Sequence, residues 1–429
     1  MTARTLQAIG RIPNPPAWLD RPLVTQVMAA LDMRATRPGA LFVGGCVRDS
    51  LLTRPRDTLD IDVATVHPPP EVQKRLRRAG VRTVATGIAH GTITALPSRG
   101  EPGSVEVTTL RRDVRTFGRS ADVAFSEDWI ADAERRDFTI NALYAGPDLR
   151  VFGANDLGLR DLARGHVRFI GMAAHRIHED YLRILRYFRM FAWFGGPTHD
   201  RVNLNAIAKS LPGLRHVSGE RLRAELLRLL AAEQPVPAVE AMAATGTLQR
   251  VVGDWSNPAS PTARRRLRTL GRLAHLERLL GLEDSGRRLC ALVDTVPGAA
   301  GASARLRLTR AESRRLRKAA AGGAPATTCP QARRHVWEAG GRSQALDGLL
   351  LGAARTGAPA PAIVRRLARH MQTWDPPAFP LGGDDVVGLG VPPGPRRRAL
   401  LRAVEAWWAD GDFASGRDRC LEELRHRAR

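Results

Sequence analysis

The stretch DTLDIDVAT, residues 57–65, places two aspartates, Asp60 and Asp62, on either side of one isoleucine in an otherwise apolar run. Residues two apart in a strand share a face, so the carboxylates converge on one side while Ile61 and Val63 enter the core on the other. Adjacent carboxylates repel each other and resist desolvation, a cost that divalent cations bound through oxygen remove. Asp57 has a simpler reading, as a turn cap. Upstream, FVGGCVRDSLL (42–52) reads as a short strand, a glycine pair and a helix start. Gly44 and Gly45 let backbone approach a ligand, the first helical amides suit an anion, and Arg48 adds fixed charge. A glycine pair before a helix also occurs for steric reasons alone. Together the two stretches fit two-metal phosphoryl transfer, with Mg²⁺ ions about 3.5–4 Å apart clamping the attacking and leaving oxygens.

Around this centre the chain is mixed up to about residue 150. Further β-type runs fall at LFV (41–43), VRTVAT (81–86), GTITAL (91–96) and SVEVTTL (104–110), and PPEVQKRLRRAG (69–80) opens as a helix with a proline start signal. The pattern predicts a small α/β unit with a mixed or mostly antiparallel sheet. Beyond about residue 172 strand signals vanish, and Leu/Ala/Arg helices alternate with breakers such as LPGLRHVSGE and DPPAFPLGGDD. No fixed-period repeat is present, which argues against a solenoid.

The chain is too long, at 429 residues, for one ordinary core, and its 43% apolar content suffices for several. It lacks an 18-residue apolar run, so the expectation is a soluble, cytoplasmic protein with no membrane partner. Four scattered cysteines show neither metal spacing nor disulfide density and read as free thiols. The net charge of +23 points to a polyanionic partner through phosphate neutralisation. All but three of the 66 basic residues are arginines, a skew that GC-rich coding can also produce.

GGCVRDSLL, DIDVAT, TGIAHGTITAL, VEVTTLRRD, RRDFTINALY and RIHEDYLRILRYFRM stand in the order seen in class II (bacterial and eukaryotic type) CCA-adding tRNA nucleotidyltransferases, and over residues 38–230 the chain resembles that family. The resemblance implies an α+β fold: a polymerase-β-like nucleotidyltransferase head with a small mixed β-sheet, followed by all-α neck, body and tail. It places the head at 1–150, the neck at 151–230, the body at 231–370 and the tail at 371–429. It implies template-independent addition of CCA to the tRNA 3′ end from CTP and ATP, with two Mg²⁺ ions at Asp60 and Asp62 and helical parts on the acceptor and T arms. Gly44, Gly45, Arg48 and Arg136 would contact the nucleotide, with Asp137 and Asn141 supporting sugar and site. Read alone, Arg136 serves equally as a surface ion-pair partner of Glu134 or Asp137.

EDYLRILRYFRM (179–190) reads as one amphipathic helix. Tyr181, Ile184, Leu185 and Phe188 share a core arc, and Asp180, Arg183, Arg186 and Arg189 fan across the other face. Such a stripe is usually solvated. The resemblance instead makes Asp180 and Arg183 a protein template for the Watson–Crick edge of cytosine or adenine, with Arg186 and Arg189 completing the pocket. It also reads RTFGRSADVAFSE (115–127) as a flexible specificity loop with Arg111 and Asp113 at its base, where composition alone allows a plain surface loop. His90 reads as a site-lining or a structural histidine. THD (198–200) is too isolated for a metal site, and Trp407 and Trp408 read as helix core. GANDLGLRDL after RVF and the arginines of PPGPRRRALL depart from the family pattern.

A bacterial poly(A) polymerase shares head and neck, but VATGIAHGTITAL replaces the basic strand expected there. Enzymes restricted to CC or to terminal A addition remain alternatives. A noncatalytic RNA clamp would gain by losing Asp60 and Asp62.

Overall fold

The computed structural model describes residues 4–31, 33–34, 37–52, 60–87, 91–99, 101–117, 120–255 and 257–429, with side chains omitted at 33, 34, 37, 86, 87, 112–117 and 120–123. Asp57 and His90 lie outside the described residues, as does the side chain of Asp113. The chain divides into two compact units, one formed by 1–229 with 237–250 and the other by 230–236 with 251–429.

In the first unit the strands are β1 (Gln7–Arg11), β2 (Met33–Arg34), β3 (Arg37–Pro38), β4 (Ala40–Val43), β5 (Asp60–Thr65), β6 (Arg82–Gly87), β7 (Thr92–Leu96), β8 (Ser104–Thr109), β9 (Arg111–Phe117), β10 (Ser120–Phe125), β11 (Tyr144–Ala145) and β12 (Arg150–Gly153). Eight form one mixed sheet in the order β1-β12-β11-β4-β5-β8-β7-β6, and within it β5 and β8 pair in parallel. The five expected strands are present. The two short strands β11 and β12, together with β1, extend the sheet beyond what the β-branched runs announced.

Along β5 the predicted alternation holds. Ile61 and Val63 are fully buried in a core with Trp18, Val27, Phe42, Val72, Leu76, Val105 and Val107, contributed in part by α1 (Pro22–Ala30) and α3 (Pro69–Arg78). The opposite face carries Asp60, Asp62 and Ala64. Only part of it is covered, by a smaller cluster of Leu41, Val43, Ala64, Trp129 and Tyr144 reaching α4 (Trp129–Glu134). The aspartates therefore sit on the part of the sheet that the second cluster leaves open, and both residues are exposed.

Between α1 and α3 lies α2 (Gly45–Ser50). After the sheet come α5 (Leu157–Arg164), α6 (Ala173–Glu179), α7 (Arg183–Phe194), α8 (Arg201–Ser210), α9 (Gly219–Leu230), α10 (Val236–Ala244) and α11 (Thr247–Val252). The expected single helix over 179–190 is broken: α6 ends at Glu179 and α7 starts at Arg183. Asp180 adopts extended backbone (φ −151°, ψ 107°), and its Oδ1 accepts from the Leu182 amide at 3.0 Å. An aspartate that bonds its own backbone two residues on competes with helix, and here it wins. Ile184, Leu185 and Phe188 are buried as expected, whereas Tyr181 is half-buried and off the core arc. Residues 111–125 also differ from expectation: the described parts pair as the antiparallel β9–β10 hairpin instead of an open loop. Strand-compatible runs on both sides of Gly118 make that pairing available.

The second unit is helical throughout its described residues. Its longest helix, α12 (Pro261–Leu280), is followed by α13 (Ser285–Leu292), α14 (Val296–Arg305), α15 (Arg310–Ala321), α16 (Cys329–Ala339), α17 (Arg342–Thr356), α18 (Pro361–Thr373), α19 (Gly383–Val387), α20 (Pro395–Asp410) and α21 (Arg417–Ala428). Buried charge ties it together. Glu277, fully buried, accepts from Arg287 Nη1 at 2.8 Å and from Arg288 Nε at 2.6 Å. Arg287 Nε also donates to Asp347, which Arg315 holds from another side at 2.6 Å. A separate core of Leu381, Val386, Leu400, Val404, Trp408 and Leu424 joins α19, α20 and α21, so Trp408 is core and Trp407 packs against it. Among the described residues no helix is long and apolar enough to cross a membrane.

Candidate active site

A cleft of about 460 Å³ opens in the first unit between the β4–α2 turn, β5, residues 135–141 and α7. It gathers Gly44, Gly45, Arg48, Asp62, Arg136, Asp137, Asn141, Asp180, Arg183, Arg186 and Arg189. Residues nearly 150 positions apart thus meet in one cavity. Asp60, one strand position pair from Asp62, is exposed beside the cleft, where Ser104 Oγ donates to its Oδ1 at 3.3 Å. Arg111, at the start of β9, does not line the cleft.

Gly44 makes the turn. Its φ of +72° is one that side-chain-bearing residues avoid, and a Cβ there would lie 3.9 Å from Asp62 Oδ2 and from Arg136 Nη1. Helix α2 has only six residues, so its dipole contributes little, and the cleft's positive charge comes from guanidiniums.

Those guanidiniums are fixed by a chain of bonds. Arg48 lies over the Phe194 ring at 4.0 Å, donates through Nε to Asp49 at 2.8 Å and through Nη1 to Asn141 Oδ1 at 2.6 Å. Asn141 Nδ2 donates in turn to Asp137 Oδ1 at 3.0 Å, and Arg186 Nε donates to Asp137 Oδ2 at 2.7 Å. Glu225 of α9, buried, takes Arg189 Nε at 2.6 Å. Burial opposes the Asp137 charge, but Arg186 and Asn141 outweigh it and hold the carboxyl at about 2.

Arg136 pairs with neither Glu134 nor Asp137. Its partners are buried Asp132 (Nη2 to Oδ2, 3.0 Å) and the Tyr144 hydroxyl (Nε, 3.0 Å). Asp132 faces back along α4 because i and i+4 share a helix side. Burial raises its carboxyl, yet Arg136 and Arg135 more than offset this and bring it to about 2.

Asp62 is the opposite case. Although it reaches solvent, the cleft walls withdraw it from water, and Glu106 and Asp60 add repulsion that Arg136 and Arg48 only partly counter, so its carboxyl is pushed up to about 6. Glu106 stands beside Asp62 on parallel β8. Its signal was an acid at an outward position of SVEVTTL, easily read as a solvated strand residue. This excess of negative charge on oxygen donors fits a hard divalent cation. Among the described residues no three acid, His or Cys side chains gather around one point.

At the α6–α7 end of the cleft, Asp180 Oδ2 accepts from Arg221 Nη2 at 2.7 Å, and Arg183 donates to the Arg176 carbonyl at 2.8 Å and pairs with Glu179. Arg135, Arg221, Leu182 and Met190 also line the cleft. They were not singled out: on α9, Arg221 and Glu225 look like the polar stripe of any amphipathic helix. Seven arginines against three aspartates around one cavity suit a polyphosphate.

Residues 40–168 match the Poly A polymerase head domain, and residues 201–255 match the probable RNA and SrmB-binding site of polymerase A. The chain is 45% identical over 193 residues to the human mitochondrial CCA tRNA nucleotidyltransferase 1, covering 44% of this chain and 43% of that one. It is 38% identical over 208 residues to the CCA-adding enzyme of Lactiplantibacillus plantarum, covering 48% of each. The matches therefore span about half the length of these curated relatives or less. Among solved structures, the Bacillus stearothermophilus CCA-adding enzyme in complex with CTP superposes with a TM-score of 0.73 at 26% identity, covering 95% of this chain and 98% of that one. The Thermotoga maritima CCA-adding enzyme complexed with tRNA shares the fold at 18% identity and a TM-score of 0.63.

Proposed function

We infer that this chain, whose residues 40–168 form a poly(A) polymerase head domain and whose fold is that of class II CCA-adding enzymes, adds CCA to the 3′ end of tRNA from CTP and ATP, releasing pyrophosphate. One observation carries the reading: exposed Asp62 lines, and Asp60, which repels it, stands beside, a single cleft that also holds Asp180, Arg183 and an excess of arginines. The first pair suits chemistry common to all nucleotides, the second suits choice among bases.

Asp60 and Asp62 would hold two Mg²⁺ ions, which when bound make the attacking hydroxyl more acidic and neutralise the triphosphate. Arg48, fixed by Phe194 and Asn141, faces the phosphates. Arg136 keeps Nη1 toward Gly44 and the Asp62 carboxylate while Asp132 and Tyr144 fix its other nitrogens. Asp137 and Asn141 hold Arg186 and Arg48 in register and so transmit the position of α7 to the head. Asp180 and Arg183 present acceptor and donors to the base edge, which requires their bonds to Arg221 and Glu179 to be shared or exchanged. Arginine-rich helices of the body and tail (231–370 and 371–429) would take the acceptor and T arms by shape and phosphate contacts. Free cysteines accord with a reducing compartment, which we take as the cytoplasm.

The test is extension of tRNA lacking its last three nucleotides with Mg²⁺ and CTP, ATP or both. Three added nucleotides with both substrates are expected. Long A tails would instead mark a poly(A) polymerase, a stop after two Cs a CC-adding enzyme, and no product an RNA clamp.

A further inference from the structure

Asp180 and Arg221 line a second cavity, of about 310 Å³, besides the nucleotide cleft. Its other walls include His178, Tyr181, His216 and the Ser218 hydroxyl. The Tyr181 ring lies with its centroid 5.6 Å from that of His178 and 6.3 Å from that of His216. This ring has a built seat. A Cβ at Gly213 would fall 1.9 Å from its Cε1, so only bare backbone at Gly213 leaves the ring in place. The charges at the rim are already matched, Glu179 by Arg176 and Arg183, Asp180 by Arg221.

Three rings, a hydroxyl and a paired carboxylate supply stacking faces and hydrogen-bonding groups without net positive charge. That combination suits a planar base with polar edges and gives a phosphate little to bind. We propose that this cavity receives an unpaired nucleobase stacked against Tyr181. The proposal rests on the reading of the chain as an enzyme acting on RNA 3′ ends. The base comes either from the unpaired 3′ end of the RNA or from a second nucleoside triphosphate, and the chemistry is the same. The shared Asp180–Arg221 pair makes occupancy of one cavity felt in the other.

The test uses the full chain and 2-aminopurine, a base whose fluorescence falls on stacking. One arm carries it at the 3′-terminal position of an acceptor-stem RNA that ends before CCA, the other as the free riboside triphosphate. Quenching is expected in at least one arm, with affinity weakened about tenfold in Tyr181→Leu and retained in Tyr181→Phe, which keeps the ring. Tyr181 dependence in the RNA arm assigns the base to the RNA end, and in the nucleotide arm to a triphosphate. His216→Ala, on the exposed rim, repeats the measurement if Tyr181→Leu does not fold. Probes that bind and quench equally in wild type and in the folded variants overturn the proposal. Wild-type incorporation of CTP and ATP is measured on the same preparation. An inactive wild type counts against the proposed function, whereas an active one whose probes ignore Tyr181 and His216 counts against this cavity alone.

Discussion

Both units bury arginines against acids, but to different ends. In the second unit Glu277, Arg287, Arg288 and Asp347 are all at least nine-tenths buried and are joined by ion pairs among themselves. In the first, Arg48, Arg136, Arg186 and Arg189 are each held on one side by Asn141, Asp132, Asp137 or Glu225 while another side faces the cleft. A charge network is thus no sign of function by itself. What distinguishes the site is an acid pushed up by like charges: Glu106 and Asp60 join burial in raising Asp62 to about 6, whereas Glu277 is raised by burial alone and Asp132 and Asp137 are held near 2.

The contrast is sharpest at Asp62. Asp62→Ala is expected to cut nucleotide incorporation by about a thousandfold or more while leaving RNA affinity within about twofold, because in the proposed function the carboxylate serves chemistry and not the RNA contact. Gel-resolved extension and a binding titration check both halves; unimpaired extension would remove the metal assignment. In the second unit, Glu277→Gln leaves buried Arg288 without an anion and Arg287 with Asp347 alone, and should cost about 3–5 kcal/mol, read by denaturant unfolding. CTP binding at temperatures where the protein stays folded should not change.

Asp132 gives a smaller, pH-dependent effect. Its folded-state value lies below the unfolded one, so its contribution is complete above about pH 4 and is lost as pH falls toward 2, about 2 kcal/mol in all. Asp132→Asn should remove that part of the acid-unfolding slope; an unchanged slope would show that Arg135 and Arg136 do not stabilise the carboxylate. The smallest effect is at Arg183. Arg183→Ala should lower the discrimination between CTP and ATP by about tenfold with little loss of total incorporation, since one good bidentate reading contributes about 1–3 kcal/mol. An unchanged preference would move base reading elsewhere.

Much of the head was legible because strands announce themselves at a period of two. Asp60 and Asp62 on the open face of β5 follow directly from that period. The glycine pair likewise marked a turn where φ is positive. The break at Asp180 was not legible, because apolar residues continue at helical spacing through EDYLRILRYFRM and only a side-chain-to-backbone bond interrupts them. Arg221, Glu225 and Asp132 were missed for a related reason. Each is a charged residue on a helix, and whether such a residue meets solvent or a partner depends on an element far away in the chain. The Arg136–Asp132 pair was missed at short range instead: sequence neighbours Glu134 and Asp137 were the plausible partners, but Asp132, four positions back, is the acid that Arg136 meets.

The helix break also carries a constraint on length as distinct from identity. Asp180 is anchored to α9 through Arg221, while Arg183, Arg186 and Arg189 ride together on α7. One residue inserted between 180 and 183 would add up to about 3.5 Å of chain between that anchor and α7 and so displace all three guanidiniums relative to Asp180 at once. Homologous chains should therefore keep the number of residues between 180 and 183 constant.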